Sequence, residues 1–329
     1  MPVLTRYKLF DTSRLKLRPL ETRDHDLDLS AILPLRKIQV VSDKIGLAAE
    51  KIKQSRQANP RPSVILMMGA HVIRSGVQRY LIDMMNRGLI DCLAMNGAGV
   101  IHDYEMALIG ATTESVAKYI KTGEFGLWKE TGLINDIVAC AAKDGLGLGE
   151  ALGKFIEEQN LPHRDISLLA RAYTLGVPVT VHVGIGYDIV HEHPNCNGAA
   201  WGETSYRDFL IFTKILESLE GGTVMNFGSA VMGPEVFLKA LAMARNVANQ
   251  FNKRIGNFTT LVCDLKPLPS NYHLEASRED PNYYFRPWKT MLVRSVSSGG
   301  ESYYIQGNHR DTIPQLWSAI LPIDDKSGA

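Results

Sequence analysis

The sequence has few cysteines, almost no net charge and no long apolar run, and each shortage excludes a class of protein. Its four cysteines, at positions 92, 140, 196 and 263 of 329, form no Cys-x-x-Cys pair, so we expect buried thiols in a reducing compartment. A formal charge of +1 argues against a broad nucleic-acid or membrane-binding surface. No apolar run approaches the roughly 20 residues that span a bilayer. We therefore predict a cytoplasmic protein that binds a small molecule or another protein.

Common catalytic motifs are also missing. There is no Gly-x-Ser-x-Gly elbow, no P-loop and no His-Glu-x-x-His, which disfavours hydrolases. The stretch "VHVGIGYDIVHEHPNC" holds His182, Asp188, His191 and His193, and the last three could supply ligands to zinc or iron. The alternative is that these are loop histidines bonded to backbone. We name no metal ligand, and a metal-dependent enzyme that uses the His191/His193 loop stays open.

What the sequence does contain is a regular alternation of strands and helices. Six short apolar runs read as buried strands: "SVILMM" (63–68), "LIDCLAM" (89–95), "VPVTVHV" (177–183), "GTVMNF" (222–227), "FTTLVC" (258–263) and "TMLVRSV" (290–296). Between them lie amphipathic segments such as 205–222, where Phe209, Phe212, Leu216 and Leu219 share a face and Gly221 closes the end. This predicts an α/β fold with a doubly wound, mostly parallel, Rossmann-like sheet. Residues 1–40 are predicted to be an N-terminal arm, 41–329 a single α/β domain, and 266–287 a long functional loop.

Small residues follow three of these strands. They are Gly69 and Ala70, then Gly97, Ala98 and Gly99, then Gly228, Ser229 and Ala230. A ligand could approach the backbone closely at such exits, although ordinary tight turns would have the same composition. His102, beside the second turn, is a catalytic candidate, and Asp103 is expected to cap a helix start.

The order of these motifs resembles the deoxyhypusine synthase family. "GAHVIRSGVQRYLIDMMNRGLIDCLAMNGAGVIHD" is similar to the family's Gly-Ser-Asn-Leu-x-Ser-Ser-Gly turn, followed by a helix, a strand and Ala-Gly-Gly-Ile-Glu-Glu-Asp. "GVPVTVHVGIGYDIVHEH", "NFGSAVMGPEV", "FTTLVCD" and "FRPWKTMLV" resemble later family segments in the same order. The likeness covers residues 63 to 320.

The resemblance implies an NAD-binding domain of the deoxyhypusine synthase type, with sites between subunits of a homotetramer. Family enzymes dehydrogenate spermidine and carry its aminobutyl group on a lysine. By resemblance, the NAD contacts fall on Ala70, Ser75, Asn96, Gly97, Ala98, Gly228, Ala230, Thr259, Asp264 and Asn308. The same likeness makes a homo-oligomer the expected assembly.

The polyamine half of the family pattern is not kept. Ile101 and His102 replace paired glutamates, Val183 replaces an aspartate and Pro234 a histidine, whereas Asp188 is retained. Lys289 directly follows Trp288, without the family's intervening glycine. The resemblance thus adds Lys289, Asp188 and Trp288 to His102 as catalytic candidates. We predict an NAD-dependent enzyme, acting by amine dehydrogenation or alkyl transfer through an imine, on a substrate other than spermidine. A cofactor-binding protein without catalysis is the alternative.

Overall fold

A six-stranded parallel sheet forms the centre of the protein in the computed structural model, which describes residues 5–321. The strands are β1 (Leu27–Asp28), β2 (Val64–Met68), β3 (Cys92–Asn96), β4 (Ala111–Thr112), β5 (Val179–His182), β6 (Thr223–Phe227), β7 (Thr259–Asp264) and β8 (Glu301–Gln306). The sheet order is β5-β3-β2-β6-β7-β8, and β1 pairs separately with β4 in antiparallel fashion. The predicted doubly wound α/β fold is therefore confirmed.

Helices cover both faces of this sheet. They are α1 (Asp43–Gln57), α2 (His71–Arg74), α3 (Gln78–Asn86), α4 (Gly97–Ile109), α5 (Val116–Thr122), α6 (Lys129–Asp144), α7 (Leu148–Glu158), α8 (Leu168–Leu175), α9 (Gly198–Leu216), α10 (Met232–Gln250) and α11 (His309–Ile320). A π-helical segment, Pro287–Arg294, joins β7 to β8. Within residues 5–321, none of the helices is both long and apolar enough to cross a membrane.

The alternation of side chains along β2 shows how the two layers of core arise. Leu66 and Met68 pack with α1, α3, α4 and α11 on one face, whereas Ile65 and Met67 pack with α9, α10 and the π-helical segment on the other. All four are fully buried, and each contributes about 1.5–3 kcal/mol by leaving water. A strand buried on both faces is apolar throughout, which is the pattern that the sequence displays.

The chain order reverses at β2. From β2 the sheet grows through β3 to β5 in one direction and through β6 and β7 to β8 in the other. In such sheets, ligands bind in the crevice at the carboxyl ends of the strands where the order reverses. The topology thus directs attention to the loops after β2, β3 and β6.

One predicted strand is wrong. The run 290–296 lies mostly in the π-helical segment, and the sixth strand is β8, at 301–306. Trp288, Met291 and Leu292 are buried together against α10 and the sheet. Their spacing is helical, but in a short apolar run a helix and a strand cannot be told apart from the sequence. The segment 265–286 is a loop, as predicted. Helix α9 begins at Gly198 and ends at Leu216, earlier than the glycine that the sequence suggested.

Residues 5–40 pack on the body through short elements. They form three turns of 3-10 helix and β1, which pairs with β4. Arg23 from this segment is almost fully buried and forms an ion pair with Glu105 of α4. Of the cysteines, Cys92 and Cys263 are buried as expected, but Cys140 is exposed. Cys196 is half-buried. The prediction of four buried thiols is therefore wrong at Cys140 and met only in part at Cys196.

Candidate functional site

The loops after β2 and β6 meet at the point where the strand order reverses. A Cβ added to Gly69 would lie 2.4 Å from the carbonyl oxygen of Gly228. Gly228 itself has a φ of +64°, and a side chain there would collide with the His309 ring. Both positions therefore require glycine. The result is a crevice bordered by backbone, with Asp264 at the end of β7 and His309 at the start of α11.

Basic side chains border the same crevice. The Arg74 guanidinium lies 3.2 Å from Nε2 of His71, and Arg310 donates to the carbonyl oxygens of Ala31 and Ser75. Burial lowers the pKa of His309, while the nearby Asp264 carboxylate opposes this and His71 reinforces it. These groups can present positive charge and N–H donors to an anion at the carboxyl edge.

Two backbone N–H groups at the start of α4 form hydrogen bonds with side chains of the protein itself. Asn96 is the N-cap, and its side chain accepts from the backbone N–H of Gly99. The N–H of Ala98 bonds the Asp188 carboxylate, and a Cβ at Gly97 would lie 2.2 Å from Asp188 Oδ2. The small residue at 97 is therefore explained by contact with Asp188.

A cavity of about 340 Å³ opens beside this helix start. Its charged and imidazole side chains are Arg23, Arg74, His102, Glu105, Glu114 and Asp188. Apolar groups from Ile101, Val116, Phe125 and Ile189 complete the wall, with Tyr187. The structure thus brings together two of the predicted catalytic residues, His102 and Asp188, next to the second glycine turn.

Asp188 is a buried carboxylate without a counter-charge. It is 9% exposed and has no ion-pair partner among the residues described. Burial raises its pKa to about 6, and the bond from Ala98 N–H only partly offsets this. The ionised form of such a buried, unpaired carboxylate is stabilised by any cation that enters the cavity.

His102 is held by a chain of hydrogen bonds that leads to the N-terminal segment. Its Nδ1 lies 2.8 Å from Thr112 Oγ1, which donates to Glu105 Oε2 at 2.7 Å. Arg23 makes a bidentate pair with Glu105 at 2.9 and 2.7 Å, and Thr131 donates to the same carboxylate at 2.6 Å. Burial lowers the pKa of His102 to about 4. The ring is therefore neutral at physiological pH.

Asp103 does cap a helix, but not its own. It lies in the middle of α4 and accepts from Ser167 Oγ at 2.5 Å and from the N–H groups of Leu168 and Leu169, at the start of α8. Burial raises its pKa to about 6, and these bonds oppose the shift. The cap arises between elements distant in the sequence, so the chain order alone assigned it to the wrong helix.

Lys289 and Trp288 do not line the cavity. Lys289 Nζ lies 3.7 Å from the centre of the Tyr283 ring. Trp288 is buried, and its indole N–H donates to the carbonyl oxygens of Tyr272 and Leu274. Their π-helical segment packs on β7 and β8, two and three strands beyond β2. Within one chain, the four catalytic candidates therefore form two separate pairs.

The predicted NAD contacts also lie in separate regions of the protein. Ala70, Gly228, Asp264 and Asn308 all lie at the carboxyl edge, around the crevice, with Ser75 at the end of α2 and Ala230 after β6. Asn96, Gly97 and Ala98 lie at the start of α4. Thr259 is the exception, because it begins β7 and is buried at the opposite edge of the sheet.

The histidines in β5 and in the loop after it have separate partners. His193 Nε2 bonds the carbonyl oxygen of Gly126, and His191 Nδ1 accepts from the backbone of Asp188. His182 is buried beside Thr180 and Phe212. Across residues 5–321 there is no group of three or more His, Cys, Asp or Glu side chains suited to a metal ion. His191 bonds within its own loop, His193 bonds a distant backbone carbonyl, and His182 belongs to β5.

Four residues of this region were not singled out from the sequence: Arg23, Arg74, Glu105 and His309. Glu105 lies three residues after His102 and so shares its helix face, which is a local signal. Arg23 gives no such signal, because it comes from a segment with little periodicity. His309 follows Asn308 and could have been noticed as an imidazole at a helix start.

The likeness to known proteins was measured in sequence and in structure. No protein-family model matches the chain. A deoxyhypusine synthase-like protein from Chlorobaculum parvum is 22% identical over 222 residues, which are 60% of this chain and 62% of the relative. Another from Chlorobaculum tepidum is 22% identical over 229 residues, 63% of this chain and 64% of the relative. The match therefore spans less than two thirds of either relative.

Among solved structures, unliganded AgrE superposes with a TM-score of 0.50 and 13% identity, over 86% of this chain and 34% of that one. At this identity the likeness concerns the fold alone. Fold and crevice define a Rossmann-like α/β protein. The two sequence relatives agree with the resemblance to the deoxyhypusine synthase family that the motif order predicted, as a divergent likeness at 22% identity.

Proposed function

We propose that the protein is an NAD-dependent enzyme that acts on an amine, by dehydrogenation or by alkyl transfer through an imine, and that its substrate is less cationic than spermidine. The observation that carries this proposal is the unpaired Asp188 carboxylate, buried in a cavity beside the glycine turns. An ammonium group is the natural counter-charge for such a carboxylate.

The charges around the cavity limit how cationic the substrate is. Two arginines and three carboxylates line it, which leaves one negative charge when all are ionised. A ligand with one net positive charge neutralises this wall, whereas a trication would bring two further charges without partners. Unpaired buried charges cost several kcal/mol each, so we expect monoamines, or diamines with one neutral nitrogen, to be preferred.

NAD would bind in the crevice between Gly69 and Gly228. Because neither residue carries a side chain, a pyrophosphate could approach the backbone N–H groups there, and the His309 ring lies next to Gly228. Asp264, at the end of β7, is suited to accept hydrogen bonds from a ribose. Because Asp188 already bonds the N–H of Ala98, the start of α4 would serve the substrate rather than the phosphates.

The test uses purified protein with NAD⁺ and a panel of monoamines, diamines, spermidine and amino acids. Calorimetry measures NAD⁺ binding, and absorbance at the NADH band measures turnover. We expect NAD⁺ to bind and at least one small amine to be oxidised faster than spermidine. Lack of any NAD⁺ binding, or robust transfer from spermidine alone, would contradict the proposal.

A cofactor-binding protein without catalysis is the second candidate. It is favoured by the position of Lys289, which lies outside the cavity and so cannot form an imine with a ligand there in the same chain. In a homo-oligomer, which we also propose, the lysine of another subunit could reach this site. Binding of NAD⁺ with no turnover of any amine would support the second candidate.

A further inference from the structure

We infer that Thr112 and Glu105 are positioning residues that fix one tautomer of His102, so that its Nε2 is a permanent hydrogen-bond acceptor for the ligand of the cavity. The inference rests on the proposed function only for the identity of that ligand. The tautomer is a property of the unliganded protein and can be measured without one.

The direction of the hydrogen bonds follows from counting protons. An ionised carboxylate can only accept, and Glu105 accepts from Arg23, Thr131 and Thr112. A hydroxyl has one proton to give, and that of Thr112 is directed at Glu105. Toward His102 Nδ1, 2.8 Å away, Thr112 must therefore accept. Nδ1 carries the proton, and Nε2 carries the lone pair.

The ionisation of Glu105 is secured by its partners. Burial alone would raise the pKa of this carboxyl group, but the Arg23 guanidinium and the bonds from Arg23, Thr131 and Thr112 bring it below its usual range. Both side chains of the ion pair are 1% exposed, so water does not compete for them. Glu105 therefore acts only as an acceptor, which fixes the direction of the hydrogen bonds made by Thr112 and His102.

The free nitrogen faces a ligand site. His102 lines the cavity, and its Nε2 has no hydrogen-bond partner among residues 5–321. Asp188 lines the same cavity, and an amine nitrogen bound between the two side chains would have hydrogens for both acceptors. Asp188 would supply the charge, and His102 would select for an N–H or O–H donor. A ligand group that only accepts would be rejected there.

The experiment is NMR of protein with ¹⁵N-labelled histidine, comparing wild type with Thr112→Val and Thr112→Ser. The His102 signals are assigned by their absence in His102→Gln or, if that variant does not fold, by triple-resonance spectra. In wild type we expect a protonated Nδ1 and an unprotonated Nε2, unchanged between pH 6 and 8. Valine has the shape of threonine without the hydroxyl, so in Thr112→Val the proton should no longer be fixed on Nδ1. Thr112→Ser should restore the wild-type pattern.

A protonated Nε2 in wild type, or an unchanged pattern in Thr112→Val, would overturn the inference. With an amine substrate in hand, Thr112→Val should raise KM about five- to tenfold, the effect of one weakened hydrogen bond, and Thr112→Ser should recover most of it. If no amine is turned over, the proposed function fails while the tautomer result stands, so the two failures are distinguishable.

Discussion

The buried ion pair between Arg23 and Glu105 provides the sharpest prediction about stability. Replacing Glu105 with Gln keeps the shape of the side chain and removes its charge. Arg23 is 4% exposed and makes its two strongest bonds with this carboxylate, so its guanidinium would remain buried without a counter-charge. Breaking a buried pair in this way costs about 3–5 kcal/mol, a large part of the 5–15 kcal/mol that typically stabilises a folded protein.

Urea unfolding, followed by circular dichroism, measures the change in the free energy of unfolding. The matched control is Glu203→Gln, which removes an ion pair with Arg207 whose side chains are 54% and 37% exposed. Exposed pairs contribute about 0.2–1 kcal/mol, so the control should unfold almost like wild type. A loss below about 1 kcal/mol for Glu105→Gln, with an unchanged denaturant slope, would refute the reasoning.

The same pair gives a stability that depends on pH. The pKa of Glu105 is lower in the folded protein than its ordinary value of 4.5, so the unfolded chain binds the proton more readily. The contribution is therefore fully present above the unfolded pKa and is lost as pH falls through the folded one. Glu105→Gln should be less sensitive to acid than wild type over that interval.

Four other outcomes are expected. Gly69→Ala places a Cβ 2.4 Å from the carbonyl of Gly228 and should weaken NAD⁺ binding in calorimetry by tenfold or more. The control Gly46→Ala, which has nothing within 4 Å, should leave the affinity unchanged. Equal affinities of the two variants would contradict NAD⁺ binding in the crevice. Asp188→Asn should abolish amine turnover while retaining NAD⁺ binding. In wild type, turnover should fall as Asp188 is protonated below about pH 6, and a flat profile to pH 5 would contradict this. Light scattering should give a mass above the 36.5 kDa of one chain; a monomer at micromolar concentration would exclude a shared site.

Most of the sheet could be predicted because its strands are buried on both faces. β2 is apolar from end to end and β6 is buried along its whole length and mostly apolar. A glycine or proline lies close to each, so their positions follow from local composition. The error at 290–296 has the opposite cause. Met291 and Leu292 pack on a helix and on the sheet at once, and the true strand β8 is half exposed, with polar residues at both ends.

The candidate site was predicted in part for a different reason. Asp188 was found through its place in a family pattern and His102 through its place beside a glycine turn. The parallel sheet brings the loops after β3 and β5 to one edge. Thr112, by contrast, reaches His102 through a turn after α4, and Arg23 reaches Glu105 from 82 residues away. Contacts of this kind leave no periodic signal in the sequence.

Arg23 also shows why a count of carboxylates in the sequence overstates the charge that a ligand would meet. Glu105 follows the glycine turn closely enough to be taken for a ligand carboxylate, yet four hydrogen bonds from Arg23, Thr131 and Thr112 occupy it. Glu114 is partly occupied too, since Gly126 and Trp128 donate to its Oε1. Only Asp188 has neither a cation nor a side-chain donor beside it. The N-terminal segment therefore lowers the negative charge of the cavity by delivering one arginine. Under the proposed function, a small amine would balance the remaining charge better than a polyamine.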